Sequence, residues 1–215
     1  MSHHDDFAFD PVKGLPEHLP QGEVMLWQGS PHWQSLALRA FHIRKVAIYF
    51  AILAAAQSVF RLADGAAAGD ALKPFIWYSI LALLSIAILT GLAWLSARTT
   101  IYTITSKRVV MRIGMALPLT LNLPYSKIES ADLRLYRDGT GDLPLMLSKE
   151  DRIAWAVLWP HARPFHFSHP EPMLRAVPDA EQVGACLASA LQGLPQSPMK
   201  SAKSAVRFAP HIVTA

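Results

Sequence analysis

The sequence predicts an α+β membrane protein: a two-helix transmembrane hairpin carrying an antiparallel β-sandwich or barrel of six or seven strands, capped by a C-terminal α-helix. Three observations predict it. Phe75–Leu95 is a 21-residue run without a charged side chain. After Arg98 the pattern changes from continuously apolar to alternating. From Asp179 to Gln192 the apolar period lengthens to that of a helix, with Val183, Leu187 and Leu191 on one face.

Composition agrees with membrane residence. Of the 215 residues, 52% are hydrophobic and only 17% are charged, which is poor in charge for a soluble chain. The single cysteine, Cys186, excludes an internal disulfide framework and a cysteine-rich zinc site. The opening segment Met1–Pro20 carries Asp5, Asp6, Asp10 and Glu17 and no apolar core, so it does not read as a signal peptide. Insertion is therefore expected from internal segments.

The elements follow in order. Residues 1–34 read as a cytoplasmic N-terminal segment in which Glu23–Trp33 holds a strand-like piece that can add an edge to the later domain. Residues 35–97 read as the hairpin, with spans at about 45–62 and 75–95. At about 1.5 Å per residue the second span reaches roughly 30 Å, the thickness of a hydrocarbon core. Trp77, Tyr78 and Trp94 lie near its ends, where an aromatic belt forms. The first span is shorter, and Lys45 and Arg61 bracket it within snorkelling reach of the headgroups. Leu36–Phe41 either lies along the interface or extends that span.

Arg39, Arg44 and Lys45 precede the hairpin and Arg98, Lys107, Arg108 and Arg112 follow it, whereas the connection holds Asp64 and Asp70 against Lys73. This asymmetry places both termini and the β domain in the cytoplasm. Ala47, Ala51 and Ala55 recur every four residues, as do Ala87 and Gly91. Small residues so spaced let helices approach closely, either each other or the helix of a client membrane protein.

Residues 98–194 read as the β domain. Its strands are expected at Ile101–Thr105, Arg108–Ile113, Leu117–Leu123, Ala131–Leu135, Leu143–Leu147 and Ile153–Trp159, with a further one at Pro164–Ser168. Residues 195–215 form a basic tail expected to be disordered.

Candidate chemistry is sparse. Asp138, Asp142, Glu150 and Asp151 flank turns, where carboxylates are ordinary, and Gly139-Thr140-Gly141 reads as a hairpin connection. His161, His166 and His169 lack the spacing that puts two imidazoles on one helix face. His42 sits before the first span and neither span holds an interior histidine to ligate a pigment. No catalytic residue, metal or cofactor is expected, and no nucleic acid. Lys107, Arg108 and Arg112 are candidate contacts for anionic lipid, at about 1 kcal/mol for each group near the leaflet.

Glu23–Gly29 (EVMLWQG), the hairpin, and Tyr102–Gly114 (YTITSKRVVMRIG) together resemble bacterial PH-like (bPH2) membrane proteins. Further stretches are similar to the PuhB family of reaction-centre assembly proteins of purple bacteria: Asp5–Phe9, Gly14–Pro16, Leu38–His42, Arg44–Phe50, Ser130–Leu135, Asp138–Asp142, Leu158–Pro164 and Pro172–Arg175. The resemblance reaches to about Leu194 and leaves the tail outside. It implies a pleckstrin-homology-like barrel. It also implies a non-enzymatic factor of the bacterial inner or intracytoplasmic membrane, whose partners are reaction-centre or core light-harvesting subunits. A homodimer through exposed β edges is a further expectation. The alternative is a general bPH2 membrane protein that binds anionic lipid.

Overall fold

In the computed structural model, which describes residues 15, 19–114, 118–148, 153–164, 166 and 170–193, the chain builds a helical hairpin and two antiparallel sheets. Strand β1 (Met25–Gly29) comes first, followed by the short helix α1 (Trp33–Arg39). Two long helices come next, α2 (Ile43–Ala63) and α3 (Ala68–Thr99). Both are long and apolar enough to cross a membrane. Their outer faces leave Ile48, Tyr49, Ile52, Val59, Phe60, Phe75, Ile76, Trp77, Leu83, Leu84 and Ile88 uncovered. Apolar surface of that extent needs an apolar surrounding.

Helix α1 does not extend α2. Ala40 ends it, and His42 takes a left-handed conformation with φ 54° and no side-chain cap before α2 begins. Leu36, Ala37 and Phe41 pack against Ala93 and Ala97 of α3 and against Ala176, with Leu89 and Leu92 alongside. The break thus turns α1 back across the last turns of α3.

One residue, Thr100, separates α3 from β2 (Ile101–Thr105). Strands β3 (Arg108–Ile113) and β4 (Leu119–Pro124) complete an antiparallel sheet of order β1-β2-β3-β4. In its register Gly29 faces Tyr102 and Met25 faces Thr105, so the hairpin is inserted between two hydrogen-bonded neighbours. The second sheet is built on β7 (Gly141–Leu147). β5 (Ile128–Ala131) and β6 (Arg134–Leu135) pair along one edge of β7 and β8 (Met173–Val177) along the other. Tyr102, Ile104, Val109, Met111, Leu143, Leu145, Leu174 and Val177 form the core between the sheets. Helix α5 (Ala180–Leu191) closes it with Val183, Cys186, Leu187 and Ala190. The result is the α+β fold with a helix-capped pair of antiparallel sheets.

One strand expectation is corrected, and one strand is added. Ile153–Trp159 is not a strand: Trp155–Leu158 forms one helical turn, α4, because Leu158 is the side chain that enters the core while Trp159 stays exposed. A strand that the sequence pattern did not announce lies at Met173–Val177. All five of its residues are buried, so it has no polar alternation to read. Most of Pro164–Ser168, the opening segment before Leu19 apart from Leu15, Leu117, Glu150, Asp151, His169 and the 195–215 tail lie outside the described residues.

Candidate functional site

A polar seam runs where α1, the end of α3 and the two sheets meet. Its centre is His161, fully buried and facing Tyr102 edge-on. The imidazole Nδ1 lies 2.6 Å from the Tyr102 hydroxyl and Nε2 lies 3.1 Å from Thr100 Oγ1. The Arg175 backbone N–H donates to the Tyr102 oxygen at 3.2 Å, leaving the hydroxyl proton for His161 Nδ1. On that assignment Nε2–H donates to Thr100. Burial first, and then the Arg175 charge, pushes the imidazole pKa down to about 3. Burial likewise pushes the Tyr102 phenol far above its ordinary value. Both groups are therefore neutral near pH 7. The Arg175 guanidinium donates to the Pro160 carbonyl at 2.8 Å.

The seam continues to α1. Ser35 Oγ donates to Asp138 Oδ2 at 2.7 Å, and the Arg39 guanidinium meets the same oxygen at 3.1 Å and donates to Thr140 Oγ1 at 2.8 Å. Arg39 also lies 3.6 Å from the centroid of the Tyr136 ring. Burial opposes the Asp138 charge, but hydrogen bonds from Arg39, Ser35 and Thr140 outweigh it and hold the carboxyl well below the usual range. Tyr136 donates to Asp142 Oδ2 at 2.6 Å, and Asp142 Oδ1 accepts the Ala176 N–H at 2.9 Å. The backbone reason is local: Gly139, at φ +75°, turns β6 into β7 and lifts the Asp138 carboxylate toward α1. Asp138 thus fastens α1 to the second sheet, and Asp142 braces β8 against β7 within it.

A second cluster stands at the far end of β2. Glu23 is buried and receives Arg108 Nε at 2.8 Å and Arg108 Nη2 at 3.0 Å, with Thr105 Oγ1 at 2.6 Å. Burial raises the Glu23 pKa, but the hydrogen bonds and the Arg108 and Lys107 charges bring it below its ordinary value.

The residues singled out from the sequence are placed as follows. Ala47 is half-buried, whereas Ala51, Ala55, Ala87 and Gly91 are exposed. The fully buried residues of the two long helices are instead Ala54 on α2 and Ala71, Pro74, Ala93, Ser96 and Ala97 on α3. The two long helices do pack on each other, as one of the two readings expects, although Ala51, Ala55, Ala87 and Gly91 stay exposed. Close packing selects the face that holds Ala54, and the rows Ala51–Ala55 and Ala87–Gly91 look outward. Lys107 and Arg108 lie at the turn after β2, one strand, about 17 Å, from the exit of α3. Arg108 is engaged by Glu23, a bidentate pairing to a buried carboxylate that already commits much of its charge. Arg112 pairs across to Ile101 at the end of β2 next to α3 and also has a partner. Sequence reasoning passed over Glu23, Tyr102, Asp138 and Arg175 as joint-forming residues. Their only signal was the presence of polar groups inside otherwise apolar strands and turns.

Chemically the seam holds parts together. Its polar groups spend their hydrogen bonds on one another, and among the described residues no three His, Cys, Asp or Glu side chains are grouped to hold a metal ion.

Comparison with known proteins agrees with this architecture. Residues 48–191 match the family described as Bacterial PH domain. A relative from Rhodobacter capsulatus, described as an uncharacterized 23.7 kDa protein in the puhA 5′ region, is 39% identical over 193 residues, covering 89% of this chain and 90% of its own. No solved structure matches the chain.

Proposed function

The chain belongs to the bacterial PH domain family, and from that premise we propose that it is a membrane-bound, non-enzymatic assembly factor for the photosynthetic reaction centre or its core light-harvesting complex. It acts by protein–protein contact. Both long helices cross the bacterial inner or intracytoplasmic membrane, with the termini and the β domain in the cytoplasm. The observation that carries this reading is the relative of Rhodobacter capsulatus, alike over nearly the whole of both chains and described as lying in the puhA 5′ region, which supports the resemblance to reaction-centre assembly proteins. The exposed rows Ala51–Ala55 and Ala87–Gly91 supply faces on which a newly inserted client helix can pack closely. The alternative, a general binder of anionic lipid through Lys107, Arg108 and Arg112, is disfavoured because Arg108 is already paired with Glu23.

Deletion of the gene tests the proposal. Reaction-centre abundance is expected to fall while pigment synthesis continues, and a tagged copy in mild detergent is expected to recover reaction-centre or light-harvesting subunits at less than one factor per complex. Normal reaction-centre levels in the deletion strain would overturn it.

A further inference from the structure

Around the end of the hairpin from which the β domain grows, large apolar side chains remain uncovered. On α1, Trp33 is 38% exposed and Leu38 is 50% exposed. On the last turns of α3, Trp94 is 44% exposed, with the Arg98 guanidinium 4.5 Å above its ring. The fourth comes from the β domain itself: Trp159, 44% exposed, at the turn following α4. Its ring meets Phe41 edge-on at 5.5 Å, and Phe41 lies two residues before the start of α2. Arg44 and Lys45 stand exposed at the entry of the same helix.

We propose that the Trp159 turn and the outer face of α1 are a contact for the headgroup layer of the bilayer, so that the β domain rests on the membrane instead of standing away from it on the hairpin alone. This inference rests on the reading that α2 and α3 span the membrane. Three arguments select lipid as the occupant. The patch includes Trp94 on α3 and reaches, through Phe41, the entry of α2, the two helices whose outer faces carry uncovered apolar side chains. An indole presents an apolar body with one N–H donor, the amphipathic pattern suited to interfacial depth. Exposed cations accompany it, and these complement anionic headgroups while the neighbouring rings enter the acyl boundary. Buried packing of Leu36, Ala37 and Phe41 on α3 fixes the level of α1, and through Phe41 that of Trp159. The contact therefore does not depend on a flexible tether.

The test is tryptophan quenching in nanodiscs of mixed zwitterionic and anionic phospholipid, with or without bromine on the acyl carbons nearest the headgroup. The emission component removed by Trp159→Phe reports on the turn. That removed by Trp77→Phe reports on the outer face of α3. Loss of both components in brominated discs is expected. Loss of the Trp77 component with the Trp159 component intact would overturn the lipid contact and leave the spanning reading standing; quenching of Trp159 by aqueous acrylamide would then mean water, and its absence a protein cover. Retention of both components would overturn both readings. A second probe avoids any folding defect at Trp159. A nitroxide on Leu38→Cys, with the buried Cys186 left unlabelled, is expected to collide more with oxygen than with a water-soluble nickel chelate. The reverse order would overturn the proposal.

Discussion

Two residues show how an apolar junction is made specific. Tyr102 and His161 are large enough to fill the space between α3 and the sheets, and polar enough to fix how those elements meet. Tyr102→Phe keeps the ring but removes the hydroxyl that joins His161 Nδ1 to the Arg175 N–H. Leaving buried polar groups unpaired costs about 1–3 kcal/mol, a loss that thermal unfolding in detergent should register. His161 also dictates a pH response. Its folded pKa is depressed to about 3 from an ordinary 6.5, so below pH 6.5 the unfolded chain binds a proton that the folded chain refuses. The stabilisation is fully present above pH 6.5 and is lost progressively as pH falls toward 3. By linkage the loss at pH 5 is about 2 kcal/mol, provided the junction stays dry. Denaturant titrations of His161→Asn and wild type should therefore converge on acidification.

At the level of elements, glycine spacing separates rigid contacts from forgiving ones. A Cβ on Gly141 would stand 2.5 Å from the Ala180 Cβ and 2.8 Å from the Arg134 carbonyl, both fixed by backbone. A Cβ on Gly184 would stand 2.9 Å from Leu133 Cδ2, the end of a flexible and exposed side chain. Gly141→Ala is expected to destabilise the domain by about 1–3 kcal/mol through overpacking between β7 and α5. Gly184→Ala should cost little, since Leu133 can turn away and alanine favours the helix. Parallel melting curves of the two variants check the contrast. The same scale shows what could be read in advance. The two long helices, β2 and β3 were legible because their apolar periods are long or strictly alternating. The Ile153–Trp159 alternation misled because it counts side chains and not hydrogen-bond partners, and among the described residues no strand pairs with that segment. β8 escaped because burial on both faces erases its period. The seam itself was illegible: Ser35 and Asp138 lie 103 positions apart, as Glu23 and Arg108 lie 85 apart, so nothing local announces either pairing.

For the molecule as a whole, the position of β1 means that the first sheet is complete only when segments from both sides of the hairpin come together. Gly29 already faces Tyr102, so a short turn can replace everything between them. A chain joining 22–29 through a two-residue turn to 102–193 should therefore remain folded and water-soluble, whereas 101–193 alone should expose the β2 edge and associate. Size-exclusion chromatography and circular dichroism distinguish the two outcomes. The whole-molecule prediction also bears on biogenesis: a chain whose two flanks fall on opposite sides of the membrane cannot assemble the sheet.

The passage from α3 to β2 through Thr100 has a mechanical meaning. Thr100 is buried, it donates its N–H to the Ser96 carbonyl, and its hydroxyl is held by His161, so no swivel separates helix from sheet. A 32-residue helix is a shaft about 48 Å long, and here the sheet is bolted to its end. Whatever tilts or rolls that shaft, whether a change in bilayer thickness or a client helix pressed against it, must swing the sheet through the same angle. Two glycines inserted after Thr100 would act as a slipped clutch: the hairpin would still insert and the sheet still form, but a fluorescent pair spanning them would cease to follow bilayer thickness. On the proposed placement of α3 in the bilayer, torque applied to the helix within the lipid would reach the sheet.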